Sequence, residues 1–236
     1  MPGAPRCRRR VGIRPCALVT PPWRRGFDVQ LRGLTLGTPH SSALAATPST
    51  LRERHAVWTV ADPVVRFAHL VVRPNLGALE ERQGLRVWQE VQTTFAAQIL
   101  APHFEHLCRQ WTASSAATCW VDRQIGAVGP TVVADRTGRV KLELAVVGTA
   151  PRSDLPGKVR TIVVVGNVNA GALPSTLNDL KRLEQARGLL CANGEDAREA
   201  MLVLFARGGF DQALQREARD RRDVALVDPD VLFGLE

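Results

Sequence analysis

Long apolar runs are missing from this sequence. No stretch approaches the ~20 apolar residues that a membrane-spanning helix requires, and the mean hydropathy is -0.07. The arginine-containing N-terminus has no apolar segment followed by a small-residue cleavage site, as a secretory signal peptide would. We therefore expect a soluble, cytoplasmic protein that does not bind membranes.

Cysteines are few, and their spacing matches no structural motif. There are five, an odd number, and no two form a CxxC pair: Cys7, Cys16, Cys108, Cys119 and Cys191. This spacing argues against a zinc site or a disulfide framework. It favours reduced cysteines in an intracellular protein.

Two common enzyme signatures are also missing. A P-loop needs GxxxxGK[ST], so that backbone amides and a lysine surround the phosphates. Gly166 and Gly171 have the glycine spacing but Ala172 follows, so we expect this chain to bind no nucleotide and no other small-molecule cofactor. Ser114 and Ser115 lack the GxSxG context of a serine hydrolase, and no catalytic triad is predicted.

Lysine is scarce, with only Lys141, Lys158 and Lys181 against many arginines. The formal net charge is +8, and residues 1–54 account for all of it with ten arginines against two acidic residues. The rest of the chain is neutral. We attribute the excess of arginine over lysine first to genomic base composition, and only second to recognition of phosphate groups.

Residues 1–54 are rich in proline, arginine, glycine, serine and threonine, without a period of 2 or 3.6 residues. Such a stretch buries too little apolar surface to offset its ordering entropy. We predict that it is disordered or the remnant of a linker or winged-helix segment. Arg6 and the Arg8–Arg10 run could contact phosphate, and a solvated tail is the alternative.

Residues 55–112 are predicted to form a helical segment that leads into the core, after a strand-like run at Val57–Val60. Asp62 is suited to cap a helix that begins at Pro63. Pro102 should kink the last helix or divide it. The three predicted helices cover residues 63–74, 76–89 and 91–112.

Residues 113–236 are predicted to form an α/β core. Asp135 and Gly138 predict a hairpin turn between the first two main strands. The order helix, three strands, helix, strand, helix, strand implies a mixed sheet with helices on both faces. Predicted strands cover 131–133, 140–147, 161–165, 201–205 and 224–227, with a weaker candidate at Trp120–Val121, and predicted helices cover 175–190, 210–219 and a short segment capped by Asp228.

The stretch from residue 139 to 190 carries the strongest functional pattern. An acidic residue on one strand, two polar residues at i and i+2 on the next, and a helix behind them is how metal-dependent nucleases arrange their sites. Glu143 supplies the acid, and Asn167 and Asn169 the polar pair. Glu105 on the preceding helix is a further candidate, with a surface carboxylate as the alternative.

Short segments in a consistent order and spacing add to this pattern. They are Val60-Ala61-Asp62-Pro63, Arg66-Phe67, Phe104-Glu105 with Trp111, Val128-Gly129-Pro130, Leu183 to Arg187, Leu204-Phe205 and Leu226-Val227-Asp228. On the basis of these segments, residues 59–233 resemble the C-terminal region of a family of bacterial and archaeal AAA-type ATPases. That region is a domain of unknown function related to the PD-(D/E)xK nuclease fold. The resemblance implies a restriction-endonuclease-like mixed sheet flanked by helices, and an ATPase module that is missing here.

In that family one strand usually reads Leu-Asp-Val-Val and the next ends Gly-Glu-x-Lys. By this resemblance Glu143 takes the place of the Asp, and a shifted alignment places Ala145 there instead. Asn167 stands at the Glu position and Asn169 at the Lys position. Glu105 matches the acidic residue of the preceding helix.

An asparagine carbonyl is a neutral ligand, and an amide cannot supply the positive charge of a lysine. Glu105 and Glu143 alone would bind Mg²⁺ weakly. We therefore expect a non-catalytic nuclease-like module that binds a partner protein or DNA as the C-terminal part of an ATPase system. The alternatives are a weak Mg²⁺-dependent DNA nuclease and a truncated product without independent function.

His103 and His106, at i and i+3, have a spacing that suits a metal site, but no third ligand is evident. Surface histidines are the simpler interpretation.

Overall fold

The computed structural model describes residues 62–114, 123–135, 137–151 and 159–234. Three predictions lie outside these ranges: those for residues 1–54, for Val57–Val60 and for Trp120–Val121. None of the described helices combines the length and the apolar character that crossing a bilayer requires.

The first part of the described chain is helical. It contains α1 (Pro63–Phe67), a π-helical turn (Ala68–Val72), a 3₁₀ turn (Arg73–Asn75), α2 (Leu76–Glu80), α3 (Gly84–Phe95), a second π-helical turn (Ala96–Leu100) and α4 (Ala101–Ala113). The Asp62 carboxylate accepts hydrogen bonds from the backbone N–H groups of Val64 and Val65, at 2.7 and 3.3 Å. The predicted cap of the first helix is confirmed.

The predicted boundary between the second and third helices is wrong. Helix α2 ends at Glu80, and Arg82 has a φ of 62°, a left-handed conformation that stops the helix. Helix α3 then runs without interruption through the π-helical turn into α4. Pro102 lies at the start of α4, next to the π-helical turn Ala96–Leu100. The hydrogen bonds of that turn already depart from the regular α-helical pattern, so the missing N–H of Pro102 interrupts no regular series of them.

The rest of the described chain builds one mixed sheet with helices between its last strands. Strands β1 (Val128–Ala134), β2 (Lys141–Thr149) and β3 (Ile162–Asn169) are antiparallel neighbours, and β4 (Met201–Ala206) and β5 (Val224–Val227) continue the sheet in parallel. Helices α5 (Leu177–Ala192), α6 (Gln212–Asp220) and α7 (Pro229–Phe233) alternate with them. The predicted mixed α/β class and element order are confirmed.

The hairpin between β1 and β2 closes as its turn residues predict. The Asp135 carboxylate accepts hydrogen bonds from the Thr137 hydroxyl at 2.6 Å and the Val140 N–H at 3.2 Å. Gly138 has a φ of 70°, which favours glycine.

Each face of the sheet is covered by a separate apolar cluster. The α5 face is the side packed by α5 and α6, and it buries Leu144, Val147, Val165, Leu180, Leu183, Leu204 and Leu214. The α4 face is the side packed by α4 and α7, and it buries Phe104, Cys108, Trp111, Val146, Val203, Phe205 and Val227. The ring centroids of Trp111 and Phe205 lie 5.7 Å apart, edge to face, and this contact anchors α4 to the sheet.

Candidate functional site

The predicted site residues lie where β2 and β3 stop pairing. The last antiparallel pair in this direction is Val146 with Gly166. Beyond it, residues 141–144 of β2 pair with β1, and residues 167–169 of β3 pair with β4. The strand that carries Glu143 and the strand end that carries the two asparagines are therefore not hydrogen-bonded to each other.

Glu143 is exposed and lies opposite Val132 of β1. Its chain neighbours Leu142 and Leu144 both pack into the cluster on the α5 face. Because successive side chains of a strand alternate between faces, Glu143 belongs to the α4 face.

Asn167 and Asn169 belong to the opposite face. Asn167 lies beside Leu204 in the parallel register, and Asn169 beside Ala206. Leu204 and the β3 residue Val165 are both buried in the cluster on the α5 face. The sheet therefore lies between Glu143 and the asparagine pair, and the structure does not bring them together.

The strand register also bears on the two alignments of β2. Continuing the antiparallel pairing one step past Val146 and Gly166 brings Ala145, and not Glu143, alongside Asn167. Ala145, however, packs against the cluster on the α4 face, which is the face opposite to Asn167. Neither alignment of β2 therefore brings an acidic position beside the asparagine pair.

Glu105 lies on α4 and is paired with a cation. Its carboxylate is 3.5 Å from Nη1 of Arg109, one turn further along the helix. The same Nη1 donates a hydrogen bond to the carbonyl oxygen of Ala145, at 3.2 Å. Arg109 thus links the helix to the segment of β2 that has left β3.

The Asn169 side chain organises the loop between β3 and α5. Its Oδ1 accepts a hydrogen bond from the Gly171 N–H at 2.9 Å. Its Nδ2 donates to the carbonyl oxygen of Leu173 at 3.1 Å and to the buried hydroxyl of Ser175 at 3.2 Å. Among the described residues, the Asn167 side chain has no such partner. A lysine at position 169 could not make the Gly171 contact, because an ammonium group accepts no hydrogen bond.

Replacing Asn169 by alanine is expected to lower the free energy of unfolding by about 1 kcal/mol, because water replaces only part of the lost hydrogen bonds. Asn167→Ala is the matched control, since it removes the same amide two residues earlier, and should change stability by less than about 0.5 kcal/mol. Urea denaturation of both variants measures the difference. Equal losses would show that the loop does not depend on Asn169.

The loop after β4 packs against the same segment. The backbone N–H of Arg207 donates a hydrogen bond to the carbonyl oxygen of Asn169 at 2.9 Å. The side-chain Nε of Arg207 donates to the carbonyl oxygen of Ala170 at 2.8 Å. Sequence reasoning missed both Arg207 and Arg109. The i, i+4 spacing of Glu105 and Arg109 was a usable signal for an ion pair, whereas nothing local marks Arg207.

Within the described ranges, no three histidine, cysteine, aspartate or glutamate side chains are grouped so that they could hold a metal ion. His103 and His106 both lie on α4. Cys108 beside them is fully buried, and desolvation raises the pKa of its thiol well above the ordinary value, so this thiol is chemically inert.

Comparison with known proteins found no match among protein-family models, curated proteins or solved structures. These comparisons show no family for the chain, and the resemblance to the ATPase family remains a prediction from its sequence segments.

Proposed function

We propose that this chain is a nuclease-like module without nuclease activity, which binds a partner protein as the C-terminal part of an AAA-type ATPase system. The observation that carries the proposal is the use of Asn169. The position that the family resemblance gives to a catalytic lysine here holds an amide with three hydrogen bonds to its own loop. A residue engaged in this way organises structure and supplies no charge for catalysis.

The order of elements supports a restriction-endonuclease-like arrangement. Helix α4 precedes three antiparallel strands, then α5, then a parallel strand. The residue at the acidic position lies on the second strand, the polar pair ends the third, and α5 follows. This is the layout from which the resemblance was inferred, although asparagines stand at two of its charged positions.

Charge favours a protein partner over DNA. The described residues carry equal numbers of basic and acidic side chains, so they offer no strong electrostatic attraction to phosphate. The basic residues 1–54 lie outside this part. An ATPase module is the partner that the family resemblance indicates.

A plasmid nicking assay with Mg²⁺ and with Mn²⁺ tests the absence of catalysis. We expect no cleavage above background, because Glu143 lies across the sheet from the asparagine pair and an asparagine stands at the position of the catalytic lysine. Glu143→Ala is the decisive control. Cleavage by the wild-type chain that this substitution abolishes would establish the weak nuclease instead.

Fluorescence anisotropy with labelled duplex DNA at low and high salt tests the choice of partner. Any binding by the full chain should fall steeply with salt and disappear in a chain lacking residues 1–54, because only that stretch is strongly basic. DNA binding that survives the truncation would identify DNA as the ligand of the folded part.

A further inference from the structure

The Arg109 guanidinium contacts two oxygen atoms of the kind that divalent cations bind. Its Nη1 lies 3.5 Å from the Glu105 carboxylate and 3.2 Å from the carbonyl oxygen of Ala145. The Arg109 side chain is only 22% exposed, against 41% for Glu105. The Arg109 guanidinium is therefore less exposed than the Glu105 carboxylate and lies between α4 and β2.

The Ala145 carbonyl lies at an irregular point of the sheet. It lies just past the last pair that β2 makes with β3. It also falls at the register shift between β1 and β2, where two β2 residues, Ala145 and Val146, lie opposite Pro130 alone. A partly buried carbonyl without a partner is costly, and Arg109 reaches it from a helix 36 residues earlier in the chain.

The magnesium ion that the nuclease resemblance implies does not fit these residues. Hard divalent cations bind carboxylate and backbone carbonyl oxygens. Of the two metal ligands that the resemblance names, Glu105 and Glu143, the first is already paired with Arg109, whose guanidinium also binds the Ala145 carbonyl oxygen. A guanidinium carries positive charge and several fixed N–H donors, so it can satisfy both oxygens without an ion. An ion at the same place would meet the like charge of Arg109.

We propose that Arg109 takes the place of a divalent cation between α4 and β2, so that the strand divergence is stabilised by a residue of the chain itself. The inference rests on the proposed function, because it explains how a nuclease-like site keeps its shape without metal. Arg109 is in this sense a positioning residue and not a catalytic one.

Thermal unfolding of the full chain, with and without millimolar Mn²⁺, tests the inference. Arg109→Met keeps the apolar stem and removes the charge, and should lower Tm by about 4 °C or more. Mn²⁺ should then raise the Tm of this variant but not that of the wild type. The rise should disappear in the double variant Glu105→Gln, Arg109→Met, which lacks the carboxylate.

Arg86 provides a matched control. It forms an i, i+4 pair with Glu90 at 3.0 Å on α3, with both side chains more than half exposed. Arg86→Met should lower Tm by less than about 2 °C and show no response to Mn²⁺.

Three results would overturn the inference: equal losses of Tm in the two methionine variants, a Tm of Arg109→Met that Mn²⁺ leaves unchanged, or a wild-type Tm that Mn²⁺ raises. Each is separate from DNA cleavage, which tests the proposed function and not the role of Arg109.

Discussion

Replacing Gly208 by alanine is expected to lower the free energy of unfolding by about 3 kcal/mol, because the added methyl group has no room. A Cβ at this position would lie 2.4 Å from the carbonyl oxygen of Ala172 and 2.8 Å from that of Leu173. Both are backbone atoms, so no side chain can rotate away. Either the loop after β3 or the loop after β4 must move.

Movement of these loops would break contacts that define the end of the sheet. The Ser175 N–H donates to the carbonyl oxygen of Gly209 at 3.0 Å, and the Asp211 N–H donates to that of Ser175 at 2.9 Å. Asp211 in turn caps α6 through the Leu214 N–H. One methyl group at Gly208 therefore disturbs the start of both α5 and α6.

Gly188→Ala is the matched control for Gly208→Ala. Gly188 lies inside α5, and a Cβ there would have no atom within 4 Å outside the helix backbone that surrounds it. Alanine should stabilise the protein by about 0.5–1 kcal/mol at this position, since glycine is the poorer helix former. Urea denaturation of both variants gives the comparison. A loss below about 0.5 kcal/mol for Gly208→Ala would mean that the two loops separate at little cost.

Replacing Asp223 by alanine is expected to cost about 2 kcal/mol, because it leaves two arginines without their shared partner. Nη2 of Arg221 and Nη1 of Arg187 donate to the same carboxylate oxygen, at 2.8 and 2.9 Å. Arg187 also donates to the carbonyl oxygen of Ala200, and Arg221 contacts Glu184. The cluster ties α5 to the chain segments that lead into β4 and β5.

Solvent limits the size of this effect, since the Asp223 side chain is 38% exposed. Asp220→Ala is the control, because Asp220 is an exposed carboxylate at the end of α6. Its removal should change stability by less than about 0.5 kcal/mol. Equal effects of the two substitutions would mean that the arginine cluster contributes nothing specific.

The Asp223 prediction includes a pH dependence. The hydrogen bond from Arg221, and then that from Arg187, lower the pKa of Asp223 from 3.8 to about 2 in the folded protein. A carboxyl group whose pKa is lower in the folded state stabilises the protein above its unfolded pKa. The contribution should be complete above about pH 4 and should disappear as pH falls towards 2. Asp223→Asn should lack this component in denaturation measured between these values.

Local patterns in the sequence determined most of the element order. The apolar run at Val224–Val227 is a strand with the predicted limits. The Asp228 carboxylate accepts the Val231 N–H at 2.9 Å and caps α7 as expected. Caps, turns and buried strands are predictable because each depends on residues that are neighbours in the chain.

The tertiary structure alone decided how the candidate site is arranged. Glu143 and Asn167 lie on opposite faces because the register shift between β1 and β2 inserts an extra residue in β2 between Leu144 and Val147, which no local pattern reveals. Gly208 is confined by a carbonyl from a loop 36 residues earlier, and Arg109 meets a carbonyl 36 residues later. Such contacts depend on how distant segments pack, so the sequence by itself determined which residues were candidates, and packing decided which of them meet.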